Sequence, residues 1–304
     1  MEKFKEILFL KNLKRVGNSA INGKYNKILT ESNDLNDLFL KIKQNEDKFS
    51  DEDLQKAKDN AEEIFEQVVN SEVNVITVFD ENYPKRLNVM KNSKPTILYV
   101  KGNVNALKNP NIAIIGTRNP SKLSQDFEKS LVKHILNSTN KTIVSGLALG
   151  CDKIAHQTTV DENKTTIAFL PSWIETITPA SNKNLAEDII KTGGCLVSEY
   201  GPDTKVYKSN YLNRDKIVAA FSDCILVVEC GINSGTMHTV NDAIKFKRRI
   251  YTYIPNERPE ELYQGNIEIL KKNKNAIQIN SIEDFNNLKI EKNHSSVEKT
   301  LDDY

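Results

Sequence analysis

The sequence predicts an α/β protein, a doubly wound and mostly parallel sheet with helices on both faces, preceded by a small all-helical region. Three observations predict it. Between about residues 73 and 253, short apolar runs rich in β-branched residues alternate with helical stretches of about 10–15 residues, the pattern of βαβ units. Several of those runs end in Gly or Ser and lead directly into a helix start. Residues 1–70 instead space their apolar positions by three and four, as amphipathic helices do.

In the N-terminal region Phe4, Ile7, Leu8, Leu10 and Leu13 mark a first helix, and Val16-Gly17 breaks it. Further helices are expected over Leu35–Ile42 and Leu54–Val69. Ser50 opens the second of these as an N-cap type, with Asp53 three residues on. Strands are expected at Val73–Phe79, Thr96–Val100 and Asn111–Ile115, followed by a helix over Gln125–Leu136. The series continues with the strand Thr142–Val144, a helix from about Asp152, and the strand Ile167–Leu170. Next come the helix Asn184–Thr192, the strand Cys195–Val197 and the helix Asn213–Phe221. The strand Cys224–Glu229, a helix over about Thr236–Phe246 and the strand Ile250–Tyr253 close it. The division is thus 1–70 helical, 71–285 α/β, and 286–304 a polar tail.

Composition removes several classes. The chain has 304 residues, 38% hydrophobic and 27% charged, with 12 Gly, 9 Pro and 4 Cys. That excludes collagen-like, disulfide-scaffold and low-complexity chains. No run approaches the roughly 20 apolar residues of a membrane span. The start, Met1-Glu2-Lys3-Phe4-Lys5-Glu6, carries acids and no small-residue cleavage site, unlike a signal peptide. Cys151, Cys195, Cys224 and Cys230 form no C-x-x-C pair and read as reduced cytosolic thiols; neither metal nor cofactor is expected. Net charge is +1, from 42 Lys+Arg against 41 Asp+Glu. Glu46–Glu66 holds nine acids and three lysines, −6, so the remainder sums to +7. An acidic helical region therefore offsets a basic remainder, and separate patches are expected.

In doubly wound sheets ligands bind beyond the carboxyl ends of the strands. Four turns there are suited to anions. Gly116-Thr117-Arg118 offers close backbone approach, a hydroxyl and a fixed planar cation. Ser145-Gly146-Leu147-Ala148 leads to Asp152 and His156, which share a helix face. That spacing suits a metal pair or an acid–base pair, but nothing places a third ligand or a nucleophile. The preferred reading is a cap by Asp152 and packing by His156. Ser198-Glu199-Tyr200 leads through Lys205 and Lys208 to Arg214 and Lys216, with Tyr207 and Tyr211 interleaved, which suits stacking beside a phosphate track. After Glu229, Ser234-Gly235-Thr236 opens a helix whose free amides and dipole favour anions. Together the turns indicate a phosphate-bearing ligand.

These motifs, in this order, resemble the DNA-processing protein A (DprA/Smf) family. The likeness runs from Tyr83-Pro84-Lys85-Arg86-Leu87 and Leu98-Tyr99-Val100-Lys101-Gly102-Asn103 through Gly116-Thr117-Arg118. It continues with Ser145-Gly146-Leu147-Ala148-x-Gly150-x-Asp152-x-x-Ala155-His156, Ser198-Glu199-Tyr200, Arg214, Glu229 and Ser234-Gly235-Thr236. The resemblance implies an extended Rossmann-like fold behind a SAM-like helical domain. It implies a cytoplasmic, non-catalytic protein that binds single-stranded DNA, protects incoming strands in natural transformation, and helps load a RecA-type recombinase, commonly as a homodimer. Carried over by motif, Gly116, Thr117, Arg118, Ser145, Gly146, Leu147, Ala148, Lys205, Arg214, Lys216, Ser234, Gly235 and Thr236 line the groove. Asp152, His156, Glu199 and Glu229 support it.

The chain departs from the family pattern in three places. A Phe-Pro-x-Arg-Asn-Arg block reads Tyr211-Leu212-Asn213-Arg214-Asp215-Lys216, adding a carboxylate and replacing a guanidinium fork with a point charge. A Gly-Asn-x-Leu-Ile stretch is faint at Gly265-Asn266-Ile267. The residues beyond the sheet are too few for an appended winged helix. Two rival readings follow. LOG-type phosphoribohydrolases carry a glutamate where Thr239 stands here. SLOG-type nucleotide sensors of bacterial immunity would use the same turns for a small signalling nucleotide.

Overall fold

The computed structural model describes residues 3–202, 204–257 and 259–287. Five helices come first: α1 (Phe4–Asn12), α2 (Asn18–Asn22), α3 (Asn26–Glu31), α4 (Leu35–Asn45) and α5 (Asp51–Val69). Ser50 and Asp53 form the expected capping box at the start of α5, each side chain meeting the other's backbone amide. The strands β1 (Asn74–Thr77), β2 (Ile97–Gly102) and β3 (Asn111–Ile115) follow, then α6 (Lys122–Ser138), β4 (Thr142–Ser145), α7 (Cys151–Asp161) and β5 (Thr166–Leu170). Next are α8 (Lys183–Lys191), β6 (Cys195–Ser198), α9 (Lys208–Phe221), β7 (Cys224–Val227), α10 (Thr236–Lys245) and β8 (Arg249–Tyr253). The described residues end with α11 (Gln264–Lys272), β9 (Ile277–Ile279) and α12 (Ile282–Asn287). The polar tail expected from 286 lies outside the described residues beyond 287.

One nine-stranded sheet has the order β1-β2-β6-β5-β4-β3-β7-β8-β9. Only the pairs β1–β2 and β2–β6 are antiparallel; the others are parallel. From β3 the chain winds first towards β6 and then, from β7, in the opposite direction. The switch point lies between β3 and β7, where Ile115 pairs with Val227 at the carboxyl ends. Period-two alternation sorts the strand side chains between two cores. Ile112, Ile114, Cys224 and Leu226 face one, with Leu131 and Ile135 of α6. Ala113, Ile115, Ile225 and Val227 face the other, with Ile217, Val218 and Phe221 of α9.

The helical region shares its core with the sheet. Phe4, Ile7, Leu29, Leu38 and Leu54 belong to the same buried cluster as Tyr99, Leu170, Leu185 and Leu196. A polar bond set marks the seam: Asn18 donates to Glu199 Oε2 at 2.8 Å and accepts from Thr96 Oγ1 at 2.9 Å and Thr96 N at 3.2 Å. No helix among the described residues is long and apolar enough to cross a membrane.

Boundaries differ where side chains, not periodicity, set them. The helix expected from Asn213 begins five residues earlier, at Lys208. The strand expected to Glu229 stops at Val227, because Glu229 turns its backbone to the neighbouring loop. The faint Gly-Asn motif proves structural. Asn266 is fully buried on α11, donates to the carbonyls of Val227, Val228 and Tyr253 at 3.0–3.3 Å, and accepts from Cys230 N at 2.8 Å. It thereby closes the carboxyl ends of β7 and β8. Asn266→Ala orphans these buried groups and is expected to cost about 3 kcal/mol, read from urea unfolding.

Candidate nucleic-acid interface

At the switch point the loops after β3, β4 and β7 interlock around a cavity of about 360 Å³. Its walls are Ile115–Arg118, Gly146, Ala148, Asp152, Ser234–Thr236 and Thr239, with Arg214, Asp215 and Val218 of α9. No residue of the acidic stretch 46–66 lines it, so the acid excess lies elsewhere in the fold.

Glu229 builds the first loop. Its carbonyl accepts from Thr117 N at 2.7 Å, and its buried carboxylate accepts from Ser121 Oγ at 2.5 Å and Ser121 N at 3.1 Å. Ser121 is the N-cap of α6, so Glu229 already supplies the anion that this helix terminus favours. Thr236 Oγ1 donates to Gly116 O at 3.0 Å, tying the third loop to the first. Gly150, with φ +75°, lies so close to the first loop that a Cβ would overlap the Thr117 carbonyl.

The second loop is organised from within. Asp152, in the first turn of α7, accepts from Gly146 N at 3.1 Å and Ala148 N at 3.3 Å. The guanidinium of Arg214 lies beneath this turn, 4% exposed, donating to the carbonyls of Gly146 and Phe169. Its Nε stands 2.8 Å from Asp215 and its Nη1 3.8 Å from Asp152. A Cβ on Gly146 would overlap the guanidinium as it stands, so a larger residue there would displace it. Burial raises the Asp215 pKa, opposed by the attraction of Arg214.

Two cations and two carboxylates thus line the cavity, and three of the four are bound internally. Arg118 is the exception. It is exposed, makes no ion pair among the described residues, and has its guanidinium carbon 5.8 Å from the Tyr211 ring centroid. The amides of Gly235 and Thr236, at the N-terminus of α10, have no acceptor among the described residues, and the Ser234 hydroxyl is buried without a partner. A cation, two free amides and a helix dipole converge there, the chemistry of an anion cradle.

Four expected groove residues fall elsewhere. Ser145 is fully buried and its hydroxyl donates to Ile114 O at 2.7 Å. Leu147, at φ 56°, is turned into the core shared with the helical region. Lys205 is exposed but off the cavity wall. Lys216 faces away, because residues two apart on a helix point about 200° apart; it reaches Ser93 Oγ at 3.1 Å instead. Glu199 likewise lies at the helical seam and not beside Arg118. His156 is fully buried, its Nδ1 2.8 Å from Thr166 Oγ1, and burial, reinforced by Arg214, lowers its pKa to about 3. It is a neutral packing residue. Sequence reading did not place Ile115 and Val218 on the wall; the four-residue step from Arg214 to Val218 was the available signal.

Comparison with known proteins identifies the family. The family model of DNA recombination-mediator protein A matches residues 74–288. The chain belongs to this family. Protein Smf of Escherichia coli (strain K12) is 32% identical over 177 residues, covering 58% of this chain and 47% of that protein. DNA processing protein DprA of Streptococcus pneumoniae is 30% identical over 189 residues, covering 62% and 65%. The matched part is therefore less than two thirds of either relative. The solved DprA structure from S. pneumoniae shares the fold with TM-score 0.78 at 22% identity, over 95% of this chain and 98% of that one. DprA from Helicobacter pylori, whose single-stranded DNA binding mode has been described, aligns with TM-score 0.63 at 30% identity, over 72% and 95%. The recombination-mediator match begins at β1, so α1–α5 lie outside it.

The division of labour between the two arginines has a direct consequence for stability. Arg214→Ala leaves buried Asp152 and partly buried Asp215 uncompensated and is expected to cost about 3 kcal/mol. Arg118→Ala is expected to change unfolding by less than about 0.5 kcal/mol. Urea denaturation of both variants checks this.

Proposed function

We propose that the chain is a single-stranded DNA-binding protein that grips the phosphate backbone at the switch-point cavity and does not cleave its ligand. The observation carrying this reading is the cradle made by exposed, unpaired Arg118 and the free amides of Gly235 and Thr236 at a crevice between strand ends. Its surroundings suit a strand. Tyr207 is 61% exposed and Leu212, Leu149 and Ile232 are exposed on or beside the loops that meet here, providing apolar surface for bases. Arg214, Asp152 and Glu229 hold the loops in shape, and Arg118 with the α10 terminus meets the phosphate.

Family membership extends the proposal to recombination mediation: protection of single strands and hand-over to a RecA-type recombinase, with a second copy of the chain as a partner. In the phosphoribohydrolase reading the acid position is Thr239, which lines the cavity and has no carboxylate to act on a glycosidic bond. Asp215 neutralises Arg214 within the wall, so affinity rests on few phosphate contacts. A shallow salt dependence follows, with a slope of roughly −0.7 per contact for single strands.

Oligo-dT binding followed by fluorescence anisotropy tests the reading. Arg118→Ala is expected to weaken binding about tenfold or more and to reduce the salt slope by about one contact. Mixed-sequence oligonucleotides should bind with comparable affinity. Unchanged oligo-dT affinity in Arg118→Ala, or tight binding of a mononucleotide that Arg118→Ala abolishes and oligo-dT fails to displace, would contradict it.

A further inference from the structure

The other face of α9 borders a second cavity, of about 400 Å³, within the size range of small-ligand sites. Its walls join parts of the chain distant in sequence: Arg15 and Gly17–Ala20 of the helical region, Met90 and Ser93, Glu199 just after β6, and Asn213, Lys216 and Ile217 of α9. Two cations face one carboxylate. Arg15 is exposed, adopts φ 61°, and has no side-chain partner among the described residues. Lys216 is half-buried and, among the described residues, bonded only to the neutral Ser93 hydroxyl. Glu199 is held by Asn18, and Lys11, bonded to the same Asn18 at 3.3 Å, lies in its field. Asn213, on the rim, donates to Tyr200 Oη at 3.2 Å.

We propose that this seam cavity is a second nucleotide subsite, with the phosphate held by Arg15 and Lys216 and the donor groups of the base or sugar facing Glu199. Three features support it. Among the described residues neither cation has a carboxylate within ion-pair distance, and with Glu199 the lining still carries one cation in excess, which an anion would neutralise. The carboxylate beside them is an acceptor suited to N–H and O–H groups, and a ligand with both an anionic end and polar donors satisfies both. Asn213, Lys216 and Ile217 share the helix that carries Arg214, Asp215 and Val218 on its opposite face, so the two cavities are separated by the width of one helix. The inference rests on the nucleic-acid reading of the first cavity. The nucleotide comes either from the strand continuing over α9 or from a free mononucleotide.

Equilibrium dialysis with labelled dTMP, and anisotropy with dT3 and dT12, separate these sources. Wild type is expected to bind two dTMP per chain, Arg15→Ala and Lys216→Ala one, and Arg118→Ala one. If the strand continues across α9, Arg15→Ala leaves dT3 affinity unchanged and weakens dT12 about tenfold. If the source is a free nucleotide, dT12 affinity stays unchanged while the second dTMP equivalent is lost. Either result supports the subsite. A single dTMP equivalent in wild type, insensitive to Arg15→Ala, together with unchanged dT12 affinity in Arg15→Ala, would overturn it. Failure of the first-cavity reading looks different, because Arg118→Ala would then leave every ligand unaffected.

Discussion

The arrangement depends on one buried group, the guanidinium of Arg214. It lies under the turn after β4, donates to the carbonyls of Gly146 and Phe169, and is balanced by Asp215 and Asp152. A guanidinium this deep is tolerated only when its charge is answered by nearby carboxylates and carbonyls. Meeting that requirement fixes the second loop against α9, and Gly150 then seats the first loop against the second. Glu229 and Thr236 tie the first and third loops together, so the crevice is shaped by bonds within the chain. A preorganised cradle loses little on binding, which matters when only a few contacts carry affinity.

This constraint also changes the meaning of the departure at Asp215. Read from sequence, a carboxylate beside the motif arginine subtracts from a phosphate site. In the structure it belongs with Arg214 as an internal pair, and the cation left to meet solvent is Arg118. Near-zero net charge is therefore compatible with an anion cradle: Asp215 answers Arg214, the amides of Gly146 and Ala148 answer Asp152, and Arg118 faces the crevice.

Much of this was legible in the chain. The alternation of apolar runs and helices located the strands from β1 to β8 to within two residues at either end, because strands covered on both faces must be continuously apolar. Glycine at the strand ends marked the crevice, since close loop packing leaves no room for a Cβ at Gly146 or Gly150. What periodicity could not resolve was direction. Arg214 and Lys216 are neighbours in sequence yet point to opposite faces of α9. Ser145 ends β4 and Leu147 lies in the turn after it, but their side chains are taken up by the adjacent strand and the core. The short elements α2, α3, β9 and α12 carry too few apolar positions to show a period, and their place is set by tertiary contacts. Asn266 was visible only as a faint motif, because its value lies in three carbonyls that no local pattern reveals.

The fold also makes α9 the shared wall between the strand-end crevice and the helical seam, so the N-terminal helices are bound to the element that shapes the site. The central claim is that the loops after β3 and β7 form the phosphate cradle. Peptide-resolved hydrogen exchange with and without saturating oligo-dT tests it most directly. The account predicts added protection in residues 116–121 and 231–238, with the acidic helix α5 unchanged. Protection confined to α5, or absent from both strand-end loops while the oligonucleotide is bound, would contradict it.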